Sequence, residues 1–91
     1  MKLSGDDYSY WAHVMHNFLI GKNVWGYVSG EIVMPTDKKA ENYESLASAW
    51  KVNNSKIITW FNNFVNQSIS VHFAKFPTAK EIWEYLERLY F

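Results

Sequence analysis

The sequence predicts an all-α fold, a small bundle of four to five helices around one long central helix. Three observations carry this expectation. From Tyr43 to Val65 apolar residues recur at spacings of three, four and seven, with no Pro or Gly to interrupt them. Two further stretches, one opening near Asp7 and one near Thr78, each show a single apolar helical face behind a start signal. The one β-like run, Ile32-Val33-Met34, has no convincing partner strand, so sheet content close to nil is expected.

The first helix begins after the turn-like Ser4-Gly5, with Asp6 or Asp7 as N-cap. Tyr8, Trp11, Met15, Phe18 and Leu19 form its apolar face, with Val14 at the edge, and Gly21 suits a left-handed C-terminal stop. His13, His16, Asn17 and Ile20 fall on the opposite side. A short second helix or turn covers Asn23 to Val28, where Gly26 and Gly30 disfavour anything longer. The stretch from Glu31 to Lys39, containing Pro35, reads as an irregular excursion.

The central stripe consists of Tyr43, Leu46, Trp50, Ile57, Phe61 and Phe64, with Ala47 and Val65 at its margin. Asn53 and Asn54 interrupt the apolar arc. Buried amides need partners, so a local hydrogen-bond network, a bend or a partly open face is expected there. Trp60 lies off the stripe, where it can meet a second neighbour or another chain. Asn66-Gln67-Ser68 then forms a turn and a new N-cap, leading into a short segment of Ile69, His72, Phe73 and Phe76 that ends before Pro77. Thr78 to Glu81 has capping-box form, followed by an apolar face of Ile82, Trp83, Leu86, Leu89 and Tyr90. Because that face has not faded at Phe91, the chain is expected to be one domain, 1–91, of a longer protein. The expected core is Tyr8, Trp11, Met15, Phe18, Trp25, Leu46, Trp50, Ile57, Phe61, Phe64, Phe73, Trp83 and Leu86.

Composition narrows the function. Nine Lys plus Arg balance nine Asp plus Glu, and only Lys38 and Lys39 are adjacent, which argues against polyanion binding as the main role. Aromatic residues make up 19% of the chain, enough for a rich core and for rings left over to meet a partner. No Cys is present, so disulfides, thiolate zinc sites and cysteine nucleophiles are excluded, and the count fits an intracellular protein. Neither a signal peptide nor a membrane-spanning run can be read.

Candidate chemistry is sparse. His13 and His16 could approach one metal, but their helix face lacks further ligands, and solvated histidines explain them better. Asp6, Asp7, Glu81 and Glu84 sit in first helical turns, where the helix dipole favours them, and Glu84 is spaced to pair with Arg88. No nucleophile elbow or phosphate-binding glycine loop occurs. Neither catalysis nor a cofactor is expected. Most rings follow core spacing. The apolar candidates for an interface are Tyr10, Ile32, Met34, Trp60, Tyr90 and Phe91.

Four motifs, taken in order, resemble the Gag polypeptide of copia-type LTR retrotransposons. Leu3, Gly5, Tyr8 and Trp11 resemble an opening "L-x-G-x-N-Y-x-x-W", with Asp7 in place of Asn. Trp25, Val28, Gly30 and Pro35 resemble "W-x-x-V-x-G-x-x-x-x-P". Trp50 and Asn54, then Trp60 and Asn63, resemble two Trp–Asn pairs, and Thr78, Ala79, Trp83 and Leu86 fall in a stretch similar to "T-A-K-E-I-W-x-x-L". The resemblance implies a capsid N-terminal-like helical domain, followed by a second helical domain, that assembles with copies of itself into a virus-like particle shell around element RNA in the cytoplasm. It implies no enzyme activity for this segment. The Cys/His zinc knuckle of many such Gags is missing, so RNA binding does not carry over to these residues. A domesticated Gag-derived adaptor that holds a peptide or partner helix in an aromatic groove is the alternative.

Overall fold

A computed structural model of the chain describes residues 2–91. Its axis is helix α3, Tyr43–Phe64, whose 22 residues run unbroken as the apolar periodicity predicts. Before it come α1 (Tyr8–Gly21) and the short α2 (Trp25–Ser29). After it come α4 (Gln67–Ser70), a 3-10 turn (Val71–Lys75) and α5 (Ala79–Tyr90). The described residues form an all-α bundle without a strand. One isolated parallel bridge joins Leu3 to Val65.

The core forms where α1, α3 and α5 face one another. Trp11, Leu19, Ile57, Phe61, Ile82 and Leu86 are wholly buried there. Each large side chain removed from water in this way contributes about 1.5–3 kcal/mol. α2 packs mainly on α5, and Val24 and Val28 enter the same core. Ile69 and Phe73 close the far side from α4 and the turn after it.

Capping chemistry fixes the helix ends. Asn66 Oδ1 accepts the Ser68 N–H at 3.3 Å, and Thr78 Oγ1 accepts the Glu81 N–H at 3.1 Å, both as the sequence predicts. Gly30 ends α2 at φ +94, the left-handed region that glycine enters without strain.

Four expectations require correction. Gly21 is still helical, and the left-handed residue after α1 is Asn23, at φ 60. Leu46 is about half exposed, because the core-facing line of α3 runs through Ala47, Asn54, Ile57 and Phe61 and leaves Leu46 on the flank. Leu89 likewise turns outward, since Tyr90, four residues after Leu86, continues the buried line of α5. Glu84 pairs with Lys80, at 2.6 Å, rather than with Arg88. Phe18, Trp25, Trp50, Phe64 and Trp83 are partly rather than fully buried.

Candidate functional site

The opening segment docks where α3 runs out of hydrogen-bond partners. Helix C-termini leave carbonyls unpaired, and Phe64 O takes two donors, the Leu3 N–H at 2.9 Å and the Trp11 Nε1–H at 2.8 Å. Leu3 O in turn accepts the Asn66 N–H at 2.8 Å. This seats the Leu3 side chain in the core, fully buried. Asp7 occupies the N-cap position of α1, but its carboxylate does not cap the helix. It turns back to accept the Ser4 N–H at 3.1 Å and the Gly5 N–H at 3.4 Å. Donation from Ser4 holds the Asp7 carboxyl below its ordinary pKa of 3.8. Gly5, at φ +123, forms the corner of this turn against the Tyr90 ring. Tyr8 stacks on Tyr90 with centroids 5.7 Å apart. Burial raises both phenol pKa values, and the Glu87 carboxylate adds to the rise at Tyr8.

Rings from four segments meet next to this clasp. Trp83 stacks on Trp11 at 5.9 Å and on Phe61 at 6.0 Å, and meets Trp25 edge-on at 5.3 Å. The family-like tryptophans 11, 25 and 83 are therefore one aromatic cluster joining α1, α2 and α5 to α3. His16 is not simply solvated as expected. Its ring lies 4.2 Å from that of Trp25, while His13 is exposed.

Asn54 locks α5 to α3. Its Oδ1 accepts the Ala79 N–H at 2.8 Å, and its Nδ2 donates to Pro77 O at 3.1 Å. Asn53, one residue earlier, donates to the Tyr27 hydroxyl at 3.0 Å. The hydrogen-bond network expected of these two amides is present, and its partners lie on α2 and at the start of α5. Trp50 is half-buried one turn before Asn54, and its buried Nε1–H meets no acceptor among the described residues.

The interface candidates do not form one patch. Tyr10 is exposed on α1, and Phe91 is exposed at the end of α5. Ile32 is partly exposed and folds back over Gly26, whose carbonyl accepts the Ile32 N–H at 3.0 Å; a Cβ at Gly26 would stand 2.7 Å from the Ile32 Cδ1. Met34 and Pro35 are half-buried in the loop before α3. Tyr90 is engaged by Tyr8, and Trp60 meets Phe18 edge-on at 5.2 Å. Val33, between the candidates Ile32 and Met34, is exposed as well, whereas Val52 and Val71, both at least half exposed, were not legible, because isolated valines carry no periodic signal.

Two grooves border the aromatic cluster. A shallow one of about 410 Å³ between α1 and α5 is lined by Tyr8, His16, Trp25, Trp83 and Glu87, among others. A smaller one of about 170 Å³ lies between α1 and the end of α3, against Val14, Phe18 and Phe64. No three His, Cys, Asp or Glu side chains gather into a metal-binding group among the described residues.

A family model described as the gag-polypeptide of LTR copia-type matches residues 15–91. The chain belongs to this family. The match takes in the Trp25–Pro35, Trp50–Asn63 and Thr78–Leu86 stretches, while the Leu3–Trp11 motif precedes it. No curated protein and no solved structure matches the chain. In this copia-type Gag chain the motif positions have definite physical roles. Trp25 and Trp83 build the aromatic cluster, Asn54 and Thr78 set the start of α5, and Gly30 ends α2. No helix among the described residues is long and apolar enough to cross a membrane.

Proposed function

We propose that this Gag chain is a structural capsid-like module that associates with copies of itself, together with a further helical domain, into a cytoplasmic shell around the element's RNA. The observation that carries this reading is the copia-type gag match from Met15 to Phe91. The surface supports it, because large apolar side chains remain exposed on α1, α3, the loop before α3, and α5. Shells gain strength from many copies of modest contacts, so separate small patches suit them better than one large face.

Sedimentation velocity from micromolar to millimolar concentration tests the proposal. It is run on this chain and on the chain extended past Phe91. A mass that climbs with concentration, and more steeply in the longer chain, is the expected result. Monomers throughout would overturn it. The alternative, a domesticated adaptor, draws on the aromatic groove between α1 and α5, and saturable binding of a heterologous peptide there would favour it.

A further inference from the structure

We propose that the cleft between α1 and α5 is a binding site for an arginine side chain presented by a partner peptide. The inference names the ligand of the groove on which the adaptor reading draws, and it rests on that groove being a binding site. Three helices build it. Tyr8, Ala12 and His16, spaced by four along α1, stand on one wall, and Trp83, Glu87 and Phe91, spaced by four along α5, stand on the other. Trp25 of α2 meets both His16 and Trp83 and spans one end. The eight steps from Trp83 to Phe91 cover about 12 Å of helix axis, enough for an extended arginine side chain.

The walls select for a cation. Helices α1 and α2 carry no Lys, Arg, Asp or Glu, and Glu87 is the one such residue that lines the cleft. It is exposed and makes no ion pair among the described residues, where Lys80 is taken by Glu84. Its charge reaches the facing wall, since after burial it is the second cause of the raised Tyr8 phenol pKa. The indoles are held in place before any ligand arrives. Trp25 lies 4.2 Å from the His16 ring and 5.3 Å from Trp83, and Trp83 is backed by its stacks on Trp11 and Phe61. Fixed rings beside a carboxylate attract a cation. A guanidinium fits both features, because its flat face stacks on a ring while its fork bonds a carboxylate. Lysine offers no flat face. A quaternary ammonium needs rings on several sides, and this cleft is open along its length. Phosphate groups and acidic lipid surfaces would meet the Glu87 carboxylate with like charge.

The test is a titration of the isotope-labelled chain with a blocked Gly-Gly-Arg-Gly-Gly peptide, followed by NMR. It is run at pH 8, above the ordinary titration range of imidazole, with His13 and His16 as the other titratable groups on the α1 wall. Saturable shifts of the Trp25 and Trp83 indole N–H signals at millimolar peptide are expected, with the Trp60 signal, outside this cleft, unmoved. The citrulline peptide, equal in shape but uncharged, should bind at least fivefold more weakly, as should the lysine peptide. Glu87→Gln, at an exposed position, should weaken arginine-peptide binding by a similar factor with an unchanged thermal melt. The proposal is overturned if the citrulline or lysine peptide binds as tightly, or if Glu87→Gln binds like the parent. It is also overturned if the two indole signals move with protein concentration alone and Arg88→Gln stops them, which would give the cleft to a second copy. Equal binding of the citrulline peptide would remove the arginine and leave the adaptor groove standing. Absence of any peptide binding would remove both, and neither result touches the shell.

Discussion

Asn54 shows how much a single side chain can organise. It is the buried polar residue on the core line of α3, and both ends of its amide are used, one on the first N–H of α5 and one on the Pro77 carbonyl. Asn54→Ala would leave the buried Ala79 N–H without its acceptor, while the Pro77 carbonyl, on an exposed residue, can turn to water. A buried unpaired group costs about 1–3 kcal/mol, so a loss of about that size is expected from urea unfolding. A midpoint within 0.2 M of the parent at equal slope would deny the clamp its role. The need for a partner was legible, because an amide inside an apolar arc must bond to something. Its identity was not, since Ala79 lies 25 residues away and helical spacing does not report contacts at that range.

At the scale of elements, legibility follows periodicity. α1, α3 and α5 each present several turns of one apolar face, and all three appear where the pattern places them. The stripe on α3 is misjudged only at its margin: Ala47 is buried and Leu46 is not, because spacing alone leaves the orientation of a stripe uncertain by about one residue. The candidate site is less legible than the helices. Docking of the opening segment onto the end of α3 has no period to betray it. Glycine roles are the clearest case. Gly30 sits at φ +94 beside the Lys80 stem, so Gly30→Ala should lower stability by about 1–2 kcal/mol. Gly21 is helical with open space at its Cβ position, so Gly21→Ala should be neutral or stabilising by up to about 1 kcal/mol. Paired thermal melts check both: a destabilised Gly21→Ala would overturn the helical role of Gly21 in α1, and an unchanged Gly30→Ala would overturn Gly30 as the left-handed stop of α2.

At the scale of the whole molecule, the fold is closed by its own beginning. The turn that brings Leu3 onto Phe64 is held by the Asp7 carboxylate, whose folded pKa lies below 3.8. The folded chain therefore binds fewer protons at Asp7 than the unfolded chain. The stability it contributes is present above about pH 3.8 and lost as pH falls through the lower, folded value. Asp7→Asn keeps an acceptor oxygen for the Ser4 and Gly5 N–H groups. Its stability at pH 7 should nearly match the parent, and the two acid-unfolding curves should diverge below pH 4, with the variant falling less steeply. Superimposable curves would show that Asp7 has no part in the closure.

The Leu3–Val65 bridge also dictates an order of events during synthesis. Leu3 is made 62 residues before the position it pairs with (65 minus 3). At typical elongation rates of about 5–20 residues per second, that interval lasts roughly 3–12 s. Through it, Leu3 and Trp11 have no α3 terminus to cover them. Nascent chains translated side by side from one transcript would expose these same residues to one another before any of them could close.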